Sequence, residues 1–152
     1  MSSHAVKRFF GLLALSVCGM LASAWPQALD LAGQPAAAIS DNRSDVSVLF
    51  FLREDCPISS RYAPEIQRLN QKFAGAGVRF WLVFPSRTES SESVAKYVAD
   101  YGYHIAALRD PAHGLVKRSK AEITAEAAVF SGGQLVYHGR IDNRFVTFGK
   151  TR

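Results

Sequence analysis

The sequence predicts an α/β sandwich, a mixed β-sheet with helices on both faces. Three observations carry this expectation. Apolar runs of strand length alternate with segments of helical periodicity. The alternation closes on two apolar runs separated by a Gly-Gly pair, which is a hairpin signal. With 152 residues, 48% hydrophobic and 20% charged, the chain has the length and balance of one globular domain.

Residues 1–24 read as a secretory leader. Lys7 and Arg8 supply a basic start, Phe9 to Leu21 an apolar stretch, and Ala22-Ser23-Ala24 a small-residue cleavage site, so the cut is expected before Trp25. The apolar stretch is short for a membrane span, which needs about 20 apolar residues. A membrane association is therefore expected only if the leader stays uncleaved. Residues 25–40, rich in Ala and Pro, read as a flexible lead-in, and residues 41–152 as the folded domain.

Val46 to Leu52 is a continuous apolar run, suited to a strand buried on both faces. Tyr62, Ile66, Leu69 and Phe73 then recur at helical spacing, which predicts a helix over 59–73 ended by Ala74-Gly75-Ala76-Gly77. Val78 to Phe84 is the second strand. Val94, Tyr97, Val98 and Tyr101 mark the second helix, with Ser and Thr residues ahead of it as caps and Gly102 behind it. Ile105 to Leu108 is a short strand, and a short helix holds Leu115 and Val116. Ala127 to Phe130 and Leu135 to Tyr137 flank Gly132-Gly133 as the hairpin.

The formal charge is +5. Removing the leader takes away Lys7 and Arg8 but no acid, which leaves 16 basic residues against 13 acidic ones, or +3. A surplus this small does not argue for nucleic acid. Lys117, Arg118 and Lys120 form the densest basic cluster and read as a solvated helix face.

Cleavage would also remove Cys18 and leave Cys56 as the one cysteine. A leftover cysteine in an exported chain is either a reactive thiol, an intermolecular link or a buried inert thiol. Position favours reactivity. Cys56 follows a buried strand across a short turn and stands just before a helix, where backbone N–H groups and partial positive charge stabilise a thiolate. Pro57 suits the first helical turn. Ser59 stands where a dithiol enzyme carries its second cysteine, and its hydroxyl can donate to the sulfur. Arg53 and Arg61 would favour the thiolate, while Glu54 and Asp55 would oppose it.

The stretch "LFFLREDCPISSRYAPEI" resembles the redoxin branch of the thioredoxin superfamily, the alkyl hydroperoxide reductase/thiol-specific antioxidant group, in an Asp-Cys-Pro-Ile-Ser variant. The ending "GGQLVYHGRIDNRFVTFGKTR" is similar to the same set, and the resemblance spans about residues 38–152. It implies a thioredoxin-like three-layer sandwich with a segment inserted before its last helix. No such helix follows here, so the domain reads as one that lacks a C-terminal helix. The departures are informative. Leu49 and Arg53 stand where peroxidase members of the branch carry Pro and Thr. Ile123-Thr124-Ala125-Glu126 falls where the superfamily has a cis-proline loop. Ala125 takes the proline's place, and a bond without proline prefers trans by about 2.5–4 kcal/mol, so a trans Thr124–Ala125 bond is expected.

The expected function is an exported thiol–disulfide redoxin, periplasmic or extracellular, in which Cys56 forms mixed disulfides that an external thiol resolves. Its partners would be protein thiols or disulfides, or a small thiol. Cys56, Pro57 and Ser59 are the candidate catalytic residues; Thr124, Ala125 and Arg140 are the candidate substrate-binding residues. Two other readings are a single-cysteine peroxidase and a degenerate redoxin kept as a binding module. No cofactor is expected, since the chain has no Gly-rich phosphate loop or dinucleotide fingerprint. No metal is expected either. His104, His113 and His138 lack ligand spacing, and Cys56 with His138 is only a fragment of a copper site. Arg140, Asp142 and Arg144 follow the hairpin and would either hold an anion or pair with one another. Trp81 and the Phe-rich strands read as core.

Overall fold

The computed structural model describes residues 27–147, 150 and 151. The secretory leader, its cleavage site and Cys18 lie outside the described residues. Among those that are described, no helix is long and apolar enough to cross a membrane.

Two short strands come first, β1 (Ala28–Leu29) and β2 (Pro35–Ala36), followed by β3 (Val46–Phe51). Helices α1 (Pro57–Arg61) and α2 (Ala63–Phe73) lead through one 3-10 turn into β4 (Val78–Phe84). The chain continues with α3 (Ser91–Asp100), β5 (Ala106–Arg109), α4 (Gly114–Ser119), β6 (Glu126–Ser131) and β7 (Gln134–Arg140). β8 (Phe145–Thr147) and β9 (Lys150–Thr151) pair with each other in a separate two-stranded sheet.

The main sheet has seven strands in the order β2-β1-β5-β4-β3-β6-β7. β3, β4 and β5 run parallel, with Leu49 opposite Trp81 and Val83 opposite Leu108. β6 lies antiparallel to β3 and β7 antiparallel to β6. Gly132 and Gly133 close that hairpin with positive φ of 54° and 78°, a conformation that side chains with a Cβ rarely adopt.

The mixed sheet and the helices on both faces follow the sequence reading. Along β3 the side chains alternate between two cores. Phe50 and Leu52 pack with Ile66 of α2 and Val94 and Tyr97 of α3, while Leu49 and Phe51 pack with Leu115 of α4 and Phe130. Each such fully buried side chain contributes roughly 1.5–3 kcal/mol by leaving water.

Three elements differ from expectation. The segment read as a flexible lead-in carries β1 and β2, with Leu29 paired to Arg109 of β5 and Ala28 and Ala38 buried. Strands of two residues with no periodic pattern give the sequence little to show. The single helix expected over 59–73 begins earlier, at Pro57, and breaks at Tyr62. Pro64 supplies the reason, since it lacks an N–H and its ring crowds the carbonyl one turn back. The Tyr62 N–H closes α1, shared between the Ile58 and Ser59 carbonyls at 3.2 Å.

Third, the Thr124–Ala125 peptide bond is cis, which corrects the expected trans form. The trans expectation weighed only the preference of an isolated bond. Here the loop is held at both ends. The Glu126 carboxylate accepts the N–H groups of Glu122 and Ile123 at 2.8 and 3.3 Å, Ala125 is buried, and Glu126 pairs with Phe51 in the sheet.

Asp110 anchors the loop between β5 and α4. It is fully buried, and its carboxyl accepts the N–H groups of Gly114 and Val116 at 2.8 and 2.9 Å. Burial pushes its pKa up, and those same N–H groups pull it back. Removing the carboxyl leaves two donors at the start of α4 without a partner. Asp110→Ala is therefore expected to cost about 2–4 kcal/mol, which thermal denaturation reads as a Tm drop of several degrees.

Candidate functional site

The parallel strands β3, β4 and β5 end along one edge of the sheet, and β6 begins there. That edge is where open α/β sheets gather their ligand sites. Cys56 lies in the turn between β3 and α1, Pro85 to Arg87 follow β4, His113 lies beyond β5, and Thr124 precedes β6. Together they line an open cleft of about 720 Å³, whose walls also include Phe51, Arg53, Ile58 and Ile123. His113 Nε2 is 2.9 Å from the Pro85 carbonyl, and Arg87 Nε donates to the Pro111 carbonyl at 3.1 Å, so two of the loops are tied together.

Cys56 is partly exposed and is a free thiol. It is the N-cap residue of α1, with Pro57 at the first helical position, and the Ser60 N–H donates to its carbonyl at 3.3 Å. Burial raises the thiol's pKa, but the donors around the sulfur outweigh it: the Thr124 hydroxyl, the Ser59 N–H and hydroxyl, and the Ile58 N–H. The net shift is downward, toward the thiolate.

Ser59 is fully buried, and its oxygen accepts the Arg53 N–H at 3.2 Å. With a lone pair engaged there, the hydroxyl proton is free to point at the sulfur. Thr124, from the cis loop, approaches the same sulfur from the other wall. Sequence reasoning placed Thr124 among substrate contacts, and the structure adds its hydroxyl to the thiolate's donors.

Two of the opposing charged neighbours meet each other. Arg53 pairs with Asp55 at 2.8 Å on the surface, so each largely neutralises the other. Hydrogen bonds rather than ion pairs lower the thiol. Pro57 is exposed beside the cysteine and Ala125 is buried behind Thr124. Arg140 is elsewhere. It lies opposite Glu126 in the hairpin and lines a second, mostly apolar groove with Phe80 and Tyr137.

Asp142 and Arg144 engage each other and the helix break. The Tyr62 hydroxyl donates to Asp142 at 2.7 Å, Arg144 Nε donates to Asp142 at 2.5 Å, and Arg144 pairs with Glu65 at 3.1 Å. Burial and the Asp142 carboxylate push the Tyr62 phenol up to about 12. His104 and His138 are exposed, and no group of three metal-ligating side chains occurs among the described residues.

A lowered thiol pKa has a sign that can be checked. Because the folded-state value lies below the unfolded one, ionised Cys56 adds stability that is complete above the unfolded thiol's pKa. That stability is lost as pH falls through the folded value. Wild type should therefore gain stability over Cys56→Ser as pH rises through this window, and then level off. Denaturant titrations across that range measure it.

An α/β sandwich with a cysteine at the head of a helix, facing a cis loop, is the architecture of the thioredoxin-like class. The AhpC/TSA family matches residues 26–139, three quarters of the chain. The chain belongs to this family, and so to the redoxin branch of the thioredoxin superfamily. No curated protein sequence matches it significantly.

Solved structures agree on the fold. An uncharacterized conserved protein from Geobacillus kaustophilus superposes with a TM-score of 0.65 at 22% identity, over 77% of this chain and 66% of its own. A secreted Mycobacterium tuberculosis disulfide oxidoreductase homologous to E. coli DsbE gives 0.61 at 17% identity, over 78% and 84%. A thioredoxin-like protein from Aeropyrum pernix gives 0.61 at 16%, over 76% and 81%. The chain thus spans about two thirds of the length of the first.

Proposed function

We propose that this protein is an exported thiol–disulfide redoxin that works with one cysteine. The observation that carries the reading is a free, partly exposed Cys56 at the head of α1, opening into a cleft that it shares with Thr124 and Ile58; the lowered thiol pKa agrees with it. The Cys56 thiolate attacks one sulfur of a substrate disulfide. A Cys56–S–S–R bond forms, the substrate S–S bond breaks, and the second substrate sulfur leaves as a thiolate. An external thiolate then attacks the mixed disulfide, releases Cys56 as a thiolate and takes the substrate sulfur into a new disulfide.

Ser59 cannot perform that second attack, because a hydroxyl offers no sulfur. The donors stabilise an anionic sulfur more than a neutral disulfide sulfur, so they favour Cys56 as the leaving group. The mixed disulfide is accordingly labile toward external thiols. Family membership supports redox chemistry, and the Mycobacterium tuberculosis relative is named as a secreted disulfide oxidoreductase, in line with the expected leader.

The peroxidase alternative lacks its own supporting feature. Leu49 is buried in β3, and Arg53 is turned to Asp55. The test compares two substrates on reduced protein by stopped flow. Exchange with a peptide disulfide should outrun that of an unfolded control at neutral pH, and peroxide should oxidise Cys56 no faster than a free thiol. Fast, saturable oxidation by peroxide would overturn the proposal.

A further inference from the structure

Behind the Cys56 turn lies a buried carboxyl that the chemistry above does not use. Glu89 follows β4 on the loop that starts α3 and is only 9% exposed. Its Oε1 accepts the N–H of Glu54 at 2.9 Å, two residues before Cys56. Its Oε2 is buried without a hydrogen-bond partner. The Glu54 side chain in turn accepts the Ser93 hydroxyl at 2.7 Å, and Ser93 closes the capping box with Ser90 at the start of α3. Arg109, reaching over from β5, donates Nε to the Glu89 backbone carbonyl and another nitrogen to Ser91, both at 3.1 Å. The turn that carries Cys56 is thus tied to the segment that starts α3 by two bonds, and Glu89 holds its backbone.

A buried carboxyl with one oxygen unsatisfied is costly as an anion. Burial pushes the Glu89 pKa up; the Glu54 N–H and Arg53 act against this, and the charges of Glu54 and Asp55 add to it. Tyr97 of α3, itself pushed up to about 12 chiefly by burial, also feels the Glu89 charge. Glutamine has the same reach and keeps a side-chain oxygen, so it can still accept the Glu54 amide at this position.

We propose that Glu89 is a positioning residue for Cys56: its carboxyl holds the Glu54 amide and thereby fixes the turn that sets the sulfur against its donors. This role rests on the reading of Cys56 as the reacting thiol. Without the grip, the 53–56 turn loosens, the Ser59 and Thr124 bonds to the sulfur lengthen, and the thiol moves back toward its ordinary pKa.

The experiment is the pH profile of iodoacetamide alkylation of the reduced full chain, read at Cys56 by peptide mass mapping, with Tm measured on the same samples. Glu89→Gln keeps an acceptor for the Glu54 amide and should keep the wild-type profile. Glu89→Ala should raise the apparent thiol pKa and slow alkylation at neutral pH about three- to tenfold. Glu89→Asp shortens the reach and should shift the profile in the same direction, which keeps the test available if the alanine variant does not fold. A folded Glu89→Ala or Glu89→Asp with the wild-type profile overturns the role, and so does a Glu89→Gln shift as large as that of alanine. An ordinary-thiol profile in wild type instead overturns the redoxin reading and this role with it, so the two failures are told apart.

Discussion

Replacing Cys56 with serine is expected to abolish mixed-disulfide formation at that position, a loss of at least about a thousandfold in exchange rate. The reason is chemical rather than structural. Serine's oxygen cannot form an S–S bond, and no other cysteine occurs among the described residues to substitute for it. The fold should tolerate the change, since Cys56 is only partly buried and a hydroxyl can accept from the same Ser59 and Thr124 donors. Exchange kinetics with a peptide disulfide, beside a thermal melt, check both halves. Partners captured from a periplasmic extract should also be lost. A variant that keeps them would favour the binding-module reading.

Ser59→Cys should change the course of the reaction rather than stop it. Ser59 is among the groups that lower the Cys56 thiol, and the two residues stand three apart at the head of α1. Their Cα atoms are then about 5–6 Å apart, within the range of a disulfide. The introduced thiolate would attack the Cys56 sulfur of the mixed disulfide, release the substrate thiolate and leave an internal disulfide between positions 56 and 59. The adduct should therefore stop accumulating, and mass spectrometry should show a chain lacking two hydrogens. Turnover would pass from a single-thiol cycle to a dithiol one. A modest stability loss of about 1 kcal/mol is also expected, because sulfur is a poorer acceptor than the Ser59 oxygen for the Arg53 amide. Continued build-up of adduct in the variant would mean that residue 59 cannot reach the reacting sulfur during the cycle.

Much of this site was legible from local pattern. The apolar run before Cys56, Pro57 behind it and Ser59 three residues on are neighbours in sequence. Their geometry follows from strand, turn and helix rules. The parallel core of β3, β4 and β5 and the Gly132-Gly133 hairpin were legible for the same reason.

What the sequence hid was non-local. Glu89 meets the Glu54 amide from 35 residues away, and nothing in "SRTESSES" marks one glutamate as buried. β1 and β2 owe their structure to pairing that reaches β5, not to their own propensity. The cis bond at Thr124–Ala125 sits in a loop anchored at both ends, which a local preference does not contain. The break at Tyr62 was readable from Pro64, but the apolar spacing across it masked the signal. Charge counting left the thiol's net balance open. Arg53 and Asp55 satisfy each other, and the sulfur answers to hydroxyls and amides instead.

The central claim is that Cys56 forms a mixed disulfide that only an external thiol resolves. Intact mass spectrometry of reduced native protein, mixed with a peptide disulfide and then given a small thiol, tests it most directly. The single-thiol mechanism predicts one adduct at Cys56, located by peptide mapping. That adduct should form faster than in the urea-unfolded protein at neutral pH, persist until the thiol is added, and then disappear. A native protein that gains no adduct while the unfolded one does would contradict it, because Cys56 would then be an inert structural thiol.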